Sequence, residues 1–225
     1  MNAPHPDSFS RGACTALSTC TALLRRARYS RLILAFHSIF AGYGFWLPNE
    51  PRGSWSDFVA SYELYRFGPA TTVTTRRSLA HNPYDRNLKH QMREALAFPP
   101  VRFADAQIRI IAEAFAKAPY RFHALAILRD HVHAVLEHTD RDIRKVVGHL
   151  KSEATRALRA AGHFKDQRPW VDHGWNVYLD CDADVFRAVD YTNANPTRDG
   201  LAPRHWDLVI PYDPAHSRAA RFGIR

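Results

Sequence analysis

Residues Ala124–Glu137, ALAILRDHVHAVLE, form two short apolar runs separated by Arg129 and Asp130, with amphipathic helical patterns on either side. Runs of this length around a polar pair predict an antiparallel β-hairpin, Phe122–Leu128 against His131–His138. Along a strand, residues i and i+2 project from one face with Cα atoms about 6.5 Å apart. His131 and His133 therefore stand side by side on a rigid support. Two neutral imidazoles so placed are half of a metal site. A lone His-x-His pair is more often structural, so the other half has to come from elsewhere in the chain.

The flanking patterns set the fold class. Leu32–Phe40 is apolar enough for a buried first strand. Asp105 is expected to cap a helix whose Ile108, Ile111, Ala112 and Phe115 recur at helical spacing, stopped by Pro119. After the hairpin, Thr139 and Asp140 open a second helix with the stripe Ile143, Val146, Val147, Leu150, Ala154, Ala157 and Leu158. Its outer face carries Arg141, Arg144, Lys145, His149, Lys151, Arg156 and Arg159. Gly174–Asp180 reads as a strand and Asp182–Asn195 as a third helix ended by Pro196. Strand, helix, strand, strand, helix, strand is the order of an α+β, ferredoxin-like βαββαβ sandwich, an antiparallel sheet with helices on one face, plus one C-terminal helix.

A single domain is expected over 30–212, with a loose tail at 1–29, a basic and aromatic insertion at about 48–100, partly helical at 86–97, and a second tail at 213–225. The chain carries 31 Lys and Arg against 22 Asp and Glu, a net charge of +9, which points to a polyanionic partner. The Arg-rich balance suits planar contact with phosphate. Candidate contacts are Arg52, Trp55, Arg66, Arg76 and Arg77 in the insertion and Arg141, Arg144, Lys145 and Lys151 on the second helix. Phosphates pair with the bases, and unpaired nucleobases stack on the aromatic rings. Duplex DNA hides its bases, so this interleaving favours single strands or hairpin junctions.

Cys14, Cys20 and Cys181 have neither disulfide-framework nor zinc spacing. The apolar run Leu32–Leu47 is broken by His37 and Ser38 and is shorter than the roughly 18–20 residues of a membrane span. Arg25, Arg26 and Arg28 follow the weakly apolar start rather than precede it, unlike a secretory signal. A cytoplasmic protein with no membrane partner is the expectation.

On the third helix, Val185, Phe186 and Val189 form the expected packing stripe, and Tyr191 falls on the other side. Tyr191 and Asn195 are i and i+4, which puts a phenol and a carboxamide on one face. Asn195 precedes Pro196, and the residue before a proline is biased out of helical geometry.

HVH on a strand followed downstream by YTNANPTRDGL resembles the single-tyrosine HUH transposases, in particular the REP-associated tyrosine transposases and their insertion-sequence relatives. Asn195, Pro196, Gly200 and Leu201 match the family's tail, and Tyr43–Ser54, YGFWLPNEPRGS, is similar to the tract after its first strand. Arg129 departs from the family, where a Pro commonly precedes the Asp-His; the change touches the turn and not the ligands. The resemblance implies that His131, His133 and Asn195 hold Mg²⁺ or Mn²⁺ and that Tyr191 is the nucleophile. It also implies nicking and rejoining of single-stranded or hairpin DNA through a 5′-phosphotyrosine, by a homodimer or a monomer.

Two rival functions stay open on the sequence. His131, His133 and Glu137 fit the HxHxxxE spacing of cupin metal enzymes, which are all-β. A transposase-derived protein that binds nucleic acid without cutting is the other. The remaining histidines, His123, His138, His149, His163 and His173, are expected to be structural or on the surface, and Trp170 and Trp175 to anchor the core. Asp180, Asp182 and Asp184 suit the positive end of a helix dipole better than a metal.

Overall fold

The computed structural model describes residues 32–45, 47, 64, 67, 85–172 and 174–217. The tail at 1–29 and the candidate contacts Arg52, Trp55, Arg66, Arg76 and Arg77 lie outside the described residues. Strand β1 (Ala35–Ala41) is followed by helices α1 (Arg86–Glu94) and α2 (Asp105–Ala116), strands β2 (Phe122–Ile127) and β3 (His131–Glu137), helix α3 (Ile143–Ala160), strand β4 (Trp175–Leu179) and helix α4 (Asp182–Arg198). The strands form one antiparallel sheet in the order β2-β3-β1-β4. This is the expected α+β, ferredoxin-like arrangement.

Strand alternation divides the core in two. On one face Phe36, Phe40, Leu125, Ile127, Val132 and Leu136 pack with Ile108, Ile111 and Phe115 of α2 and Val146, Val147 and Leu150 of α3. On the other, Ala35, Ala124, Val135 and Leu179 meet Val185 and Ala188 of α4. The register places His37 opposite Val135, Ile39 opposite His133, and Ala41 opposite His131, so all three histidines share the α4 face. Ala126, facing His133 from β2, continues a floor of small side chains that lets α4 lie close to the sheet. Gly174, just ahead of β4, lets the chain approach β1 closely, since a Cβ there would stand 2.8 Å from the Ile39 carbonyl oxygen.

The packing stripe of α4 differs from the expected one. Val185, Ala188, Thr192, Asn195 and Pro196 are buried, whereas Phe186 is 43% exposed and lies edge-on to Tyr212. Against an alanine-lined sheet, small residues pack better than large apolar ones. The rotation carries Tyr191 onto the edge of the packed side rather than away from it. Nor does Pro196 end the helix. It forfeits only the bond to the Thr192 carbonyl, and α4 runs on to Arg198. The helix then closes in a Schellman motif, with Leu201 N–H donating to the Pro196 carbonyl at 2.8 Å and Gly200 N–H to Thr197 at 3.1 Å. Gly200 takes the required left-handed conformation, φ 70°. The Asn-Pro-x-x-x-Gly-Leu tail is therefore a helix terminator that keeps Asn195 helical and one turn from Tyr191.

Other corrections are local. The N-cap of α2 is Ala104, whose N–H donates to Gln107 Oε1 at 2.9 Å, while Asp105 pairs with Arg204. The cap of α3 is Asp142, accepting from the Arg144 N–H at 2.8 Å. Lys151 is 8% exposed and not on the outer face of α3. Its ammonium donates to the Val171 carbonyl at 2.8 Å and lies 5.5 Å from the Phe40 ring centroid, and burial lowers its pKa to about 8. A buried, internally bonded ammonium cannot reach a DNA phosphate, so Lys151 leaves the set of candidate contacts. Among the described residues no helix is long and apolar enough to cross a membrane.

Candidate active site

His131 opens β3 immediately after the hairpin turn. Its Nδ1 lies 2.7 Å from Asp130 Oδ1, and its ring stacks on Phe45 with centroids 5.2 Å apart and planes at 13°. An ionised carboxylate can only accept, so the imidazole proton is on Nδ1 and the Nε2 lone pair is left for a ligand. His133, two residues on, is buried, with its ring centroid 4.9 Å from that of His131. Its Nδ1 lies 3.3 Å from Nε2 of His37, a third histidine on the same face.

Helix α4 brings Tyr191 to this face. The phenol ring is 5.5 Å from the His133 ring and 5.9 Å from that of His37, edge-on to both. Asn195 is buried one turn further on, and its amide nitrogen donates to the Tyr191 carbonyl at 2.9 Å, which leaves the amide oxygen as an acceptor for a partner. The guanidinium of Arg198 lies 5.1 Å from the centroid of the Tyr191 ring.

Burial dominates the electrostatics. It drives the His37 pKa from 6.5 to about 4, and it holds that of His133 well below the usual range, assisted by the nearby His131, His37 and Arg198. Both imidazoles are neutral at pH 7, the state that binds metals. Burial raises the Tyr191 phenol, and Arg198 opposes that rise. The tyrosine is therefore a protonated, weak nucleophile in the absence of an activating group.

Of the sequence candidates, His131, His133, Tyr191 and Asn195 are gathered by one strand and one helix on one face. Arg144 and Lys145 are exposed on α3, with Arg141 just ahead of its N-cap, across the sheet from them, so the basic face of that helix is not continuous with the site. Glu137 sits at the far end of β3 opposite Ala35 and pairs with Arg121 at 3.5 Å, and with the α+β sheet this removes the cupin reading. Three residues were not anticipated. His37 carried a usable signal, since an imidazole inside an apolar strand demands a partner. Arg198 and Asp199 carried none. Asp199 joins Asp130 and His131 in a group whose potential ligand atoms lie within 4.8 Å of one another, a second indication that this corner suits a cation. A mixed nitrogen and oxygen donor set without thiolate fits Mg²⁺ or Mn²⁺.

Two solved structures are similar to this chain. One is a REP-associated tyrosine transposase bound to a REP hairpin, 12% identical over 81% of this chain and 76% of that one, with a TM-score of 0.40. It belongs to the family whose motifs the sequence resembles. The other, from Deinococcus radiodurans R1 and assigned as a transposase, is 15% identical over 80% of this chain and 99% of that one, with a TM-score of 0.34. No family model matches the sequence, and no curated protein does.

Proposed function

We propose that the protein nicks and rejoins single-stranded DNA by transesterification at Tyr191, as a transposase of the single-tyrosine HUH type. The observation that carries this reading is the approach of the Tyr191 ring to within 5.5 Å of His133, on the helix packed over the paired histidines. A tyrosine, two ligand-competent imidazoles and a carboxamide on one face have no joint purpose in binding alone.

In this reading His131, His133 and Asn195 would hold Mg²⁺ or Mn²⁺, which supplies charge stabilisation at a scissile phosphate. Asp130 fixes the ring of His131 and its tautomer. The Tyr191 oxygen attacks phosphorus as the bond to the 3′ oxygen breaks, so that the new O–P bond replaces the old one. The phenolic proton leaves to solvent and the departing 3′ oxygen takes one up. The products are a 5′-phosphotyrosine and a free 3′-OH, and attack by another 3′-OH reverses the step without ATP. Arg198 is placed to pair with the phosphate beside the nucleophile.

The test is a denaturing gel of labelled single-stranded hairpin oligonucleotides, drawn from DNA flanking the gene, incubated with protein and Mn²⁺ or Mg²⁺. An SDS-resistant adduct with wild type, absent with Tyr191→Phe, His131→Ala or EDTA, is expected. The rival, binding without cutting, draws on the raised pKa of the Tyr191 phenol. Tight, salt-sensitive binding with no adduct on any oligonucleotide would establish that rival.

A further inference from the structure

His37 lies in the middle of β1 and is 1% exposed. Its ring is stacked on that of His133, with centroids 5.5 Å apart and planes at 28°. Its Nε2 is 3.3 Å from His133 Nδ1 and 3.5 Å from the Thr192 hydroxyl of α4. An aliphatic side chain would fill this place without desolvating a polar ring, so packing alone does not account for a histidine here. The two facing nitrogens allow two arrangements. If His37 donates, His133 keeps its proton on Nε2 and cannot ligate. If His133 donates from Nδ1, its Nε2 lone pair is free for a cation.

We propose that His37 is a positioning residue: its Nε2 accepts the Nδ1 proton of His133 and so holds His133 in the tautomer whose Nε2 can ligate. His37 then does for His133 what Asp130 does for His131, and each of the paired imidazoles has its own orienting acceptor. The contact from Thr192 ties this acceptor to the helix that carries Tyr191, so strand and helix meet at one nitrogen. The inference rests on the reading of His133 as a metal ligand.

The test uses the full chain and two variants. His37→Gln keeps an acceptor near the position of Nε2, and His37→Leu removes it. Nitrogen-15 NMR of the histidine rings in the metal-free protein reads the tautomer of His133 directly, and calorimetric titration with MnCl₂ reads affinity. The expected results are an Nδ1–H tautomer at His133 in wild type and His37→Gln, and its loss in His37→Leu, because a free imidazole prefers its proton on Nε2. Mn²⁺ affinity should fall about 10–100-fold in His37→Leu and largely recover in His37→Gln. Circular dichroism verifies that both variants are folded; were His37→Leu to unfold, the wild-type tautomer and the His37→Gln titration still decide. An Nε2–H tautomer in wild type, or full Mn²⁺ affinity in a folded His37→Leu, overturns the proposal. Failure of wild type itself to bind Mn²⁺ defeats the metal reading instead, and the metal-free tautomer then still decides the role of His37.

Discussion

Acidification of the metal-free protein should expose the burial of His37 as a loss of stability with a calculable size. In the unfolded chain the imidazole titrates near 6.5; in the folded protein burial lowers it to about 4. The folded pKa is the depressed one, so the stabilisation is whole above pH 6.5 and is lost as pH falls from there toward 4, the unfolded chain taking up a proton that the folded chain refuses. One such group costs up to 1.36 kcal/mol per pH unit in that window, so between pH 7.5 and 5 His37 accounts for about 2 kcal/mol. His133 adds to the loss in the same direction. Urea unfolding in EDTA, followed by tryptophan fluorescence, measures it. With an m-value of about 2–3 kcal/mol/M, removing one such histidine changes the pH-induced midpoint shift by roughly 0.7–1 M. Carboxylates and other histidines also titrate, so the comparison is between wild type and His37→Leu, which lacks this proton site. The variant should lose about 2 kcal/mol less between the two pH values. Equal losses in the two proteins would refute a buried, neutral His37.

Lys151→Ala should destabilise the protein by about 2–3 kcal/mol, because the Val171 carbonyl loses its donor and the space beside Phe40 is left unfilled; thermal melts measure this, and the salt dependence of DNA affinity should not change. Replacing Arg141, Arg144 and Lys145 together should leave the single-turnover rate of adduct formation at saturating DNA within about twofold, since these side chains lie across the sheet from Tyr191; a large fall in that rate would bring the α3 face into the reaction. Gly200→Ala meets no steric neighbour but strains a left-handed residue, which costs about 1 kcal/mol and frays the end of α4; hydrogen exchange at the Leu201 amide should quicken. Arg198→Ala should slow adduct formation about 10–100-fold with little change in thermal stability, because in the proposed reaction the exposed guanidinium would pair with the phosphate and it contributes little to the fold.

Much of the frame is legible in the sequence. Strand and helix periods differ enough to order β1, β2, β3, α3 and β4, and the two histidines are bound to share a face wherever β3 forms. The errors at Lys151 and on α4 have a common origin in side chains whose burial does not follow their polarity. Lys151 is long enough to lay its stem along Phe40 and find carbonyls at Val171, so a residue read as solvated became internal. On α4 the buried positions are Val185, Ala188, Thr192, Asn195 and Pro196, and the large Phe186 is left half outside. No apolar stripe could have revealed that face, because the alanines that accept it lie on β1 and β2, far away in sequence.

The division of the sheet also bears on where a nucleic acid strand can run. A strand lying along the outer side of α3 would have that helix and the full sheet between its phosphates and Tyr191. Basic charge that serves the reaction must therefore stand on the α4 side or at the rim near Asp130. Among the described residues Arg198, beside the Tyr191 ring, and Arg102, 4.0 Å from Asp130 with most of its side chain exposed, stand there. Asp130 is shared between Arg102 and His131, so a phosphate arriving at Arg102 competes with the carboxylate that orients the imidazole. In the proposed reaction a phosphate would approach Tyr191 and His131 past two guanidiniums, one beside the tyrosine ring and the other paired with the carboxylate that holds the His131 ring. The net charge of +9 is a poor guide to this arrangement, because among the described residues the basic side chains Arg144 and Lys145 of α3 stand on the other side of the sheet.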